Sequence, residues 1–347
     1  MTAAPGKGVV KVRGGKRRRN AKAGKAANPP RPTKTKAGKG AKSGDGDRKR
    51  LAPRPLPERP DSGPDFLCVG AQKGGTRWLY DQLQLHPDFW MPPVKELHYF
   101  DRRAPSAASV NLGRRAQESL KRTNRRQAKL ALRPLDQRDI DFLDAYVHMP
   151  WWRTDLDAYA RLFALKADLL SGDITPDYST LTERQIARIV RRFPQAKVVF
   201  IARDPVERAW SHLTMHMRRG TIARGLDARE VMRLMRQRFV MERSYPSEIV
   251  ARWRRHVPDE QFGLFLFDDL VADADGLRRR VLSFLGGDPA KESGVINAAF
   301  NRKEDREKAP LSPELRAEIA RHFAVEIKAS AEAFGGAAKG WMAKYGL

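Results

Sequence analysis

Among 347 residues there is a single cysteine, Cys68, so no intrachain disulfide can form. It falls inside a short apolar run and reads as a small core side chain rather than a nucleophile. Long apolar runs are missing too. Nowhere do about 18 apolar residues follow one another, and no apolar segment follows the basic start. The chain is therefore expected to be cytoplasmic, with neither a transmembrane anchor nor a conventional signal peptide. No His, Cys and carboxylate residues cluster at metal-ligand spacing, so no metal is expected. Acidic charge is scarce, with 67 Lys/Arg against 41 Asp/Glu and a net charge of +26. A Walker A loop, which needs lysine after its last glycine, is also absent, and an ordinary NTPase loses its best evidence.

The basic excess is uneven. Residues 1–60 hold 19 Lys/Arg against Asp45, Asp47 and Glu58, and they have almost no apolar periodicity. Such a composition cannot bury enough surface to offset the entropy of ordering, so residues 1–64 read as a disordered basic tail. Its run Lys16-Arg17-Arg18-Arg19 suits a polyanion such as nucleic acid, an acidic glycan or an anionic membrane. A merely solvated tail is the favoured reading, since charge runs are usually just solvated. Prolines 53, 55, 57, 60 and 64 mark the boundary, and residues 65–347 read as one domain.

What the chain does carry is a strand, a tight loop and a helix start within residues 66–77. Free backbone N–H groups and a helix dipole converge on such a loop and make it an anion cradle. Gly70, Gly74 and Gly75 let the backbone turn sharply and approach a ligand. Lys73 adds a positive charge, and Thr76 can cap the helix or bond a phosphate oxygen. Alone, a glycine turn beside a lysine is more often structural.

Further along, Pro92–Asp101 alternates like a short extended piece with Glu96 and His98 on one side. The pair can serve acid/base work or be plain surface. Residues 102–150 are rich in arginine and read as an insertion or acceptor-side lid, partly helical around 114–132. Trp151-Trp152 suits a pocket wall or a hydrophobic anchor for a helix at 156–165. Strands are expected at 169–175, 197–202 and 262–267, with helices at 182–192, 205–217 and 276–285. Residues 218–256 read as helical and amphipathic without a chemical motif. Alternating strands and helices predict an α/β domain with a mainly parallel sheet. Ligands of such sheets lie beyond the carboxyl ends of the strands, where both Lys73 and Arg203 fall. Arg203 can fork onto a phosphate, and Ser211, about two turns into the following helix, can add a hydroxyl. A structural Arg203–Asp204 cap fits that segment equally well.

Together these segments resemble the sulfotransferases that use 3′-phosphoadenosine-5′-phosphosulfate (PAPS), with the closest likeness to the heparan-sulfate and bacterial carbohydrate branch. Gly70-Ala71-Gln72-Lys73-Gly74-Gly75-Thr76-Arg77 looks like their 5′-phosphosulfate loop, and the segment from Val199 to His212 looks like their 3′-phosphate motif. Lys95-Glu96-Leu97-His98-Tyr99-Phe100-Asp101 resembles the segment that carries the catalytic glutamate, while Gly172–Tyr178 and Phe267–Leu270 resemble further landmarks. The resemblance covers about residues 65–345. It implies a single P-loop-like α/β domain whose central sheet is flanked by helices. It also implies in-line transfer of a sulfuryl group from PAPS to an acceptor hydroxyl, on a carbohydrate, leaving adenosine 3′,5′-bisphosphate and needing no metal. Lys73 is then expected to neutralise charge on the departing phosphate. Gly74, Gly75, Thr76 and Arg77 would hold the 5′-phosphate, and Arg203 and Ser211 the 3′-phosphate. Glu96 would be the base, with His98 orienting the acceptor or steadying the sulfonate. A C-terminal 3′-phosphate loop is expected near residues 300–310, with Arg302, Lys303 and Arg306 as candidates. Some glycan enzymes carry a lysine where Ile174 stands, so any contact made there is missing. The rival readings are a nucleotide-dependent phosphotransferase and a nucleic-acid-binding protein acting through residues 1–60. The first lacks the Walker lysine and a magnesium-binding acidic strand end, and the second lacks an aromatic platform or helix-turn-helix.

Overall fold

Apolar alternation along the strands decides the layering. In a computed structural model that describes residues 52–59, 61–101, 135–151, 153–300 and 310–347, four strands run parallel. They are β1 (Phe66–Gly70), β2 (Gly172–Ile174), β3 (Lys197–Ala202) and β4 (Phe262–Leu266), in the order β2-β1-β3-β4. Leu67, Val69, Val198, Phe200 and Ala202 face one apolar cluster, while Phe66, Cys68, Val199 and Ile201 face another. Both faces are buried, as a sheet covered by crossover helices on each side requires. The expected α/β architecture is thus present. The expected tail up to residue 51, lid residues 102–134, and Arg302, Lys303 and Arg306 lie outside the described residues.

The helices that cover the sheet carry local start and stop signals. α1 (Thr76–Gln84) follows β1, and α2 (Gln137–His148) opens on an Asp136–Asp139 capping box. α3 (Leu156–Leu162) runs on into a 3₁₀ turn, Phe163–Lys166. α4 (Glu183–Arg192) has its own capping box from Thr182 and Gln185. α5 (Pro205–Arg219) begins with proline after the Asp204 cap and stops at Gly220, whose φ of 71° only glycine adopts freely. The stretch 218–256, expected to be helical, forms three short helices after α5: α6 (Ala228–Met235), α7 (Arg238–Met241) and α8 (Pro246–Arg254). α9 (Phe267–Ala272) and α10 (Ala274–Leu285) follow β4, and α11 (Pro313–His322), α12 (Ala324–Phe334) and α13 (Lys339–Tyr345) close the chain.

Several boundaries differ from expectation. β2 is short and begins only at Gly172, where a Cβ would stand 2.4 Å from the Phe66 carbonyl oxygen. Phe267 leaves β4 and starts α9 instead of ending the strand. The far end of the expected lid is core, because α2 buries Phe142 and Tyr146 completely. The proline-rich boundary also docks onto it: Arg54 donates its backbone N–H to Asp141 at 2.8 Å and its guanidinium at 3.1 Å. Burial pushes the Cys68 thiol up to about 12, which fits an inert core position. Among the described residues no helix is long and apolar enough to cross a membrane.

From β1 the chain crosses to β2 on one side, then returns to β3 on the other. The connections therefore diverge between β1 and β3, and the crevice at their carboxyl ends is where such sheets bind ligands.

Candidate active site

Two loops leave the sheet at that crevice and are tied together. Ala71 donates its N–H to the Ile201 carbonyl at 3.0 Å, and Arg203 donates Nη1–H to the Lys73 carbonyl at 2.8 Å. The close approach explains Gly74, where a Cβ would lie 2.5 Å from the Ile201 oxygen. Lys73 itself adopts φ 71°, a strained left-handed conformation for a side-chain-bearing residue. The helix cap is Gly75 at φ 94°, not Thr76, which is the first residue of α1. Among the described residues no side chain caps α1, and no acidic residue occupies its first turn, so these leave the N-terminal N–H groups to an anion.

The Arg203 guanidinium stacks over the Phe267 ring, 4.4 Å from its centroid. Ser211, half-buried on the second turn of α5, spends no hydroxyl hydrogen bond on the described residues. Lys73 likewise has no ion-pair partner among them. Arg77 is drawn along α1, with Nη1 3.9 Å from Asp81 and its guanidinium over Tyr80.

Glu96 and His98 come together as expected, but not by extended alternation. Both have left-handed backbones, φ 67° and 53°, and form a tight turn. Asp173 at the middle of β2 holds this turn in place. It is buried and accepts from Tyr178 and Thr175 at 2.6 Å each, from Tyr159 at 3.1 Å, and from the Leu97 N–H at 3.4 Å. Thr175 and the Tyr178 hydroxyl accept in turn from the N–H groups of His98 and Tyr99. Trp151 is an anchor beneath it, edge-on to Tyr99 and Tyr146. Glu96 Oε2 then lies 3.7 Å from His98 Nε2, and His98 Nδ1 lies 2.6 Å from Asp101.

The family model described as "Sulfotransferase family" matches residues 64–290. The chain belongs to the sulfotransferase family. Among solved structures, a sulfotransferase from Alicyclobacillus acidocaldarius is similar over 81% of this chain and 99% of its own, with 22% identity and a TM-score of 0.54. The sulfotransferase domain of the Synechococcus PCC 7002 olefin synthase is similar over 78% and 97%, with 19% identity and a TM-score of 0.44. No curated protein matches the chain.

The electrostatics of this sulfotransferase are polarised around the crevice. Burial brings the Lys73 ammonium down to about 8, and Arg218, Arg203 and Arg219 push the same way against Glu96. Burial would raise Glu96, but the Lys95 and His98 charges and hydrogen bonds outweigh it and hold the carboxyl well below its usual range. Burial likewise opposes the charge on His98, yet Asp101 and Glu96 lift it to about 9. His98 is therefore an imidazolium at neutral pH.

Four participants were missed by sequence reasoning as site residues. Lys95 is almost wholly buried, 2.5 Å from Glu96 and 3.5 Å from the Thr76 hydroxyl, so it bridges the turn and the loop. Asp101 was legible only as the end of a motif. Asp177 accepts from Arg243 at 2.7 Å and from Gln72 at 3.4 Å. Arg243 comes from the stretch that carries no motif at all. Among the described residues, His98, Asp101 and the sequence-distant Asp177 each bring an atom of metal-ligand type within 4.8 Å of the others. The positive charge among them here is the imidazolium and the Arg243 guanidinium.

Proposed function

We propose that this sulfotransferase moves a sulfuryl group from PAPS to an acceptor hydroxyl, on a carbohydrate, by in-line displacement. The observation that carries the reading is the Arg203–Lys73 hydrogen bond, which joins two anion cradles at one crevice. A donor with phosphates at both ends of its ribose suits such a pair. Gly74, Gly75, Thr76 and Arg77 take the 5′-phosphate, and Arg203 and Ser211 the 3′-phosphate. Arg77 must leave Asp81 to do so. The acceptor oxygen attacks sulfur, the bond from sulfur to the 5′-phosphate oxygen breaks, and Lys73 stabilises the charge left on that oxygen.

Glu96 takes the acceptor proton. Its depressed basicity suits a reaction in which the hydroxyl acidifies only as its oxygen bonds to sulfur. His98, charged and braced by Asp101, donates toward the sulfonate or the acceptor. On this reading residues 65–347 form the catalytic domain, and the remaining 3′-phosphate contacts fall to Arg302 and Lys303.

The test is transfer of labelled sulfonate from PAPS to a panel of hydroxyl-bearing glycans. Wild type is expected to label at least one, and Glu96→Gln to lose about 10²–10⁴-fold in rate while still binding donor. Transfer of phosphate from ATP with no transfer of sulfonate would overturn the proposal.

A further inference from the structure

The C-terminal helix α13 lies outside residues 64–290, the part matched by the family, yet it grips both walls of the Arg203 site. Asp204 caps α5 through Oδ1, accepting from the N–H groups of Val206 at 2.9 Å and Glu207 at 3.4 Å. Its Oδ2 accepts from the Tyr345 hydroxyl at 2.6 Å and from Lys344 Nζ at 2.9 Å. Lys344 also reaches Glu207 at 3.2 Å, and Arg316 of α11 pairs with the same carboxylate. On the opposite wall, Trp341 donates its indole N–H to Asp268 at 3.2 Å, next to the Phe267 ring under Arg203.

We propose that Lys344 and Tyr345, backed by Trp341, are positioning residues of the donor site that give it its preference for a 3′-phosphate. The inference rests on the donor reading above. Asp204, Glu207 and Asp268 all lie within electrostatic reach of Arg203. They favour the charge on its guanidinium but also repel a phosphate brought to it. Each of the three carries a donor from the C-terminal helices. Lys344 and Arg316 offset the charge of Asp204 and Glu207, and Tyr345 and Trp341 spend carboxylate lone pairs that would otherwise turn toward the ligand. Burial and the Lys344 and Arg316 cations set Glu207 against each other, with the cations prevailing, so it stays ionised. A packing role alone would weaken every ligand equally, whereas charge compensation acts on the 3′-phosphate.

The experiment is calorimetry on the full chain at fixed ionic strength, with adenosine 3′,5′-bisphosphate and adenosine 5′-monophosphate as probes. Wild type, Lys344→Met, Lys344→Arg and Tyr345→Phe are compared. Lys344→Met and Tyr345→Phe are expected to lose about three- to tenfold in bisphosphate affinity, and less than about twofold for the monophosphate. Lys344→Arg is expected to keep wild-type discrimination. Unchanged bisphosphate affinity, or equal loss for both probes, overturns the inference and leaves the donor reading standing. A wild type that does not prefer the bisphosphate overturns the donor reading and the inference with it. Tyr345→Phe removes one hydroxyl only, so it tests the point even where a larger change unfolds the helix.

Discussion

Lys73 offers the sharpest quantitative handle on the crevice. Its ammonium is brought from 10.5 to about 8 by burial and by Arg218, Arg203 and Arg219. That displacement corresponds to about 3 kcal/mol against the charged form. An anionic donor lying against Lys73 removes the penalty, because it supplies the close counter-charge that Glu96 alone does not. Binding should then restore the ammonium to its ordinary range and draw in a proton. At pH 8.5 the free enzyme is about one-quarter protonated at Lys73 and the complex nearly fully so, giving an uptake of about 0.7 proton per donor bound. At pH 7 the same linkage gives only about 0.1. Calorimetric titration with adenosine 3′,5′-bisphosphate in buffers of different ionisation enthalpy reads the number directly. Lys73→Met should abolish the difference between the two pH values. Equal uptake at pH 7 and 8.5, or persistence of the uptake in Lys73→Met, would show that Lys73 is not the group that takes up the proton.

The same shift carries a stability sign. Because the folded value lies below the unfolded one, Lys73 disfavours folding below about 8 and that effect fades as pH climbs toward 10.5. Lys73→Met should therefore raise stability at pH 7 by up to about 3 kcal/mol in urea titrations while abolishing activity. His98 has the opposite sign. Its contribution is complete below the unfolded value of 6.5 and is lost as pH rises through about 9, and Asp101→Asn should lower the imidazole value seen by NMR. Replacing the hub, Asp173→Ala, strands three hydroxyl groups and the Leu97 N–H and should cost about 3 kcal/mol in denaturant unfolding. Gly74→Ala forces a methyl group against the Ile201 carbonyl, so bisphosphate affinity should drop at least about tenfold by calorimetry.

How much of this was legible in the chain differs from part to part. The strand run Lys197–Ala202 and the Asp204-Pro205 helix start are local signals, and both stand where the pattern puts them. The glycine loop was readable because the backbone conformations it needs restrict the residue type. The turn at Glu96 and His98 was misread as extended, since its left-handed backbones come from tertiary hydrogen bonds to Asp173, Thr175 and Tyr178 rather than from Gly or Asn. Arg243 and the C-terminal Lys344 and Tyr345 were silent. Their partners Asp177 and Asp204 lie 66, 140 and 141 positions away, and no local spacing encodes such contacts. Lys95 stood inside a recognised motif, yet only its burial between Glu96 and Thr76 reveals what it touches.

On the proposed function, the loops after β1 and β3 form one site for a donor phosphorylated at both the 5′ and 3′ positions. Parallel calorimetric titrations of wild type and Arg203→Ala with adenosine 3′,5′-bisphosphate and with ATP test it most directly. Tight bisphosphate binding, weak ATP binding, and a loss of about a hundredfold for the bisphosphate in the variant are expected. ATP binding as tight as the bisphosphate or tighter, strengthened by magnesium, would contradict that function.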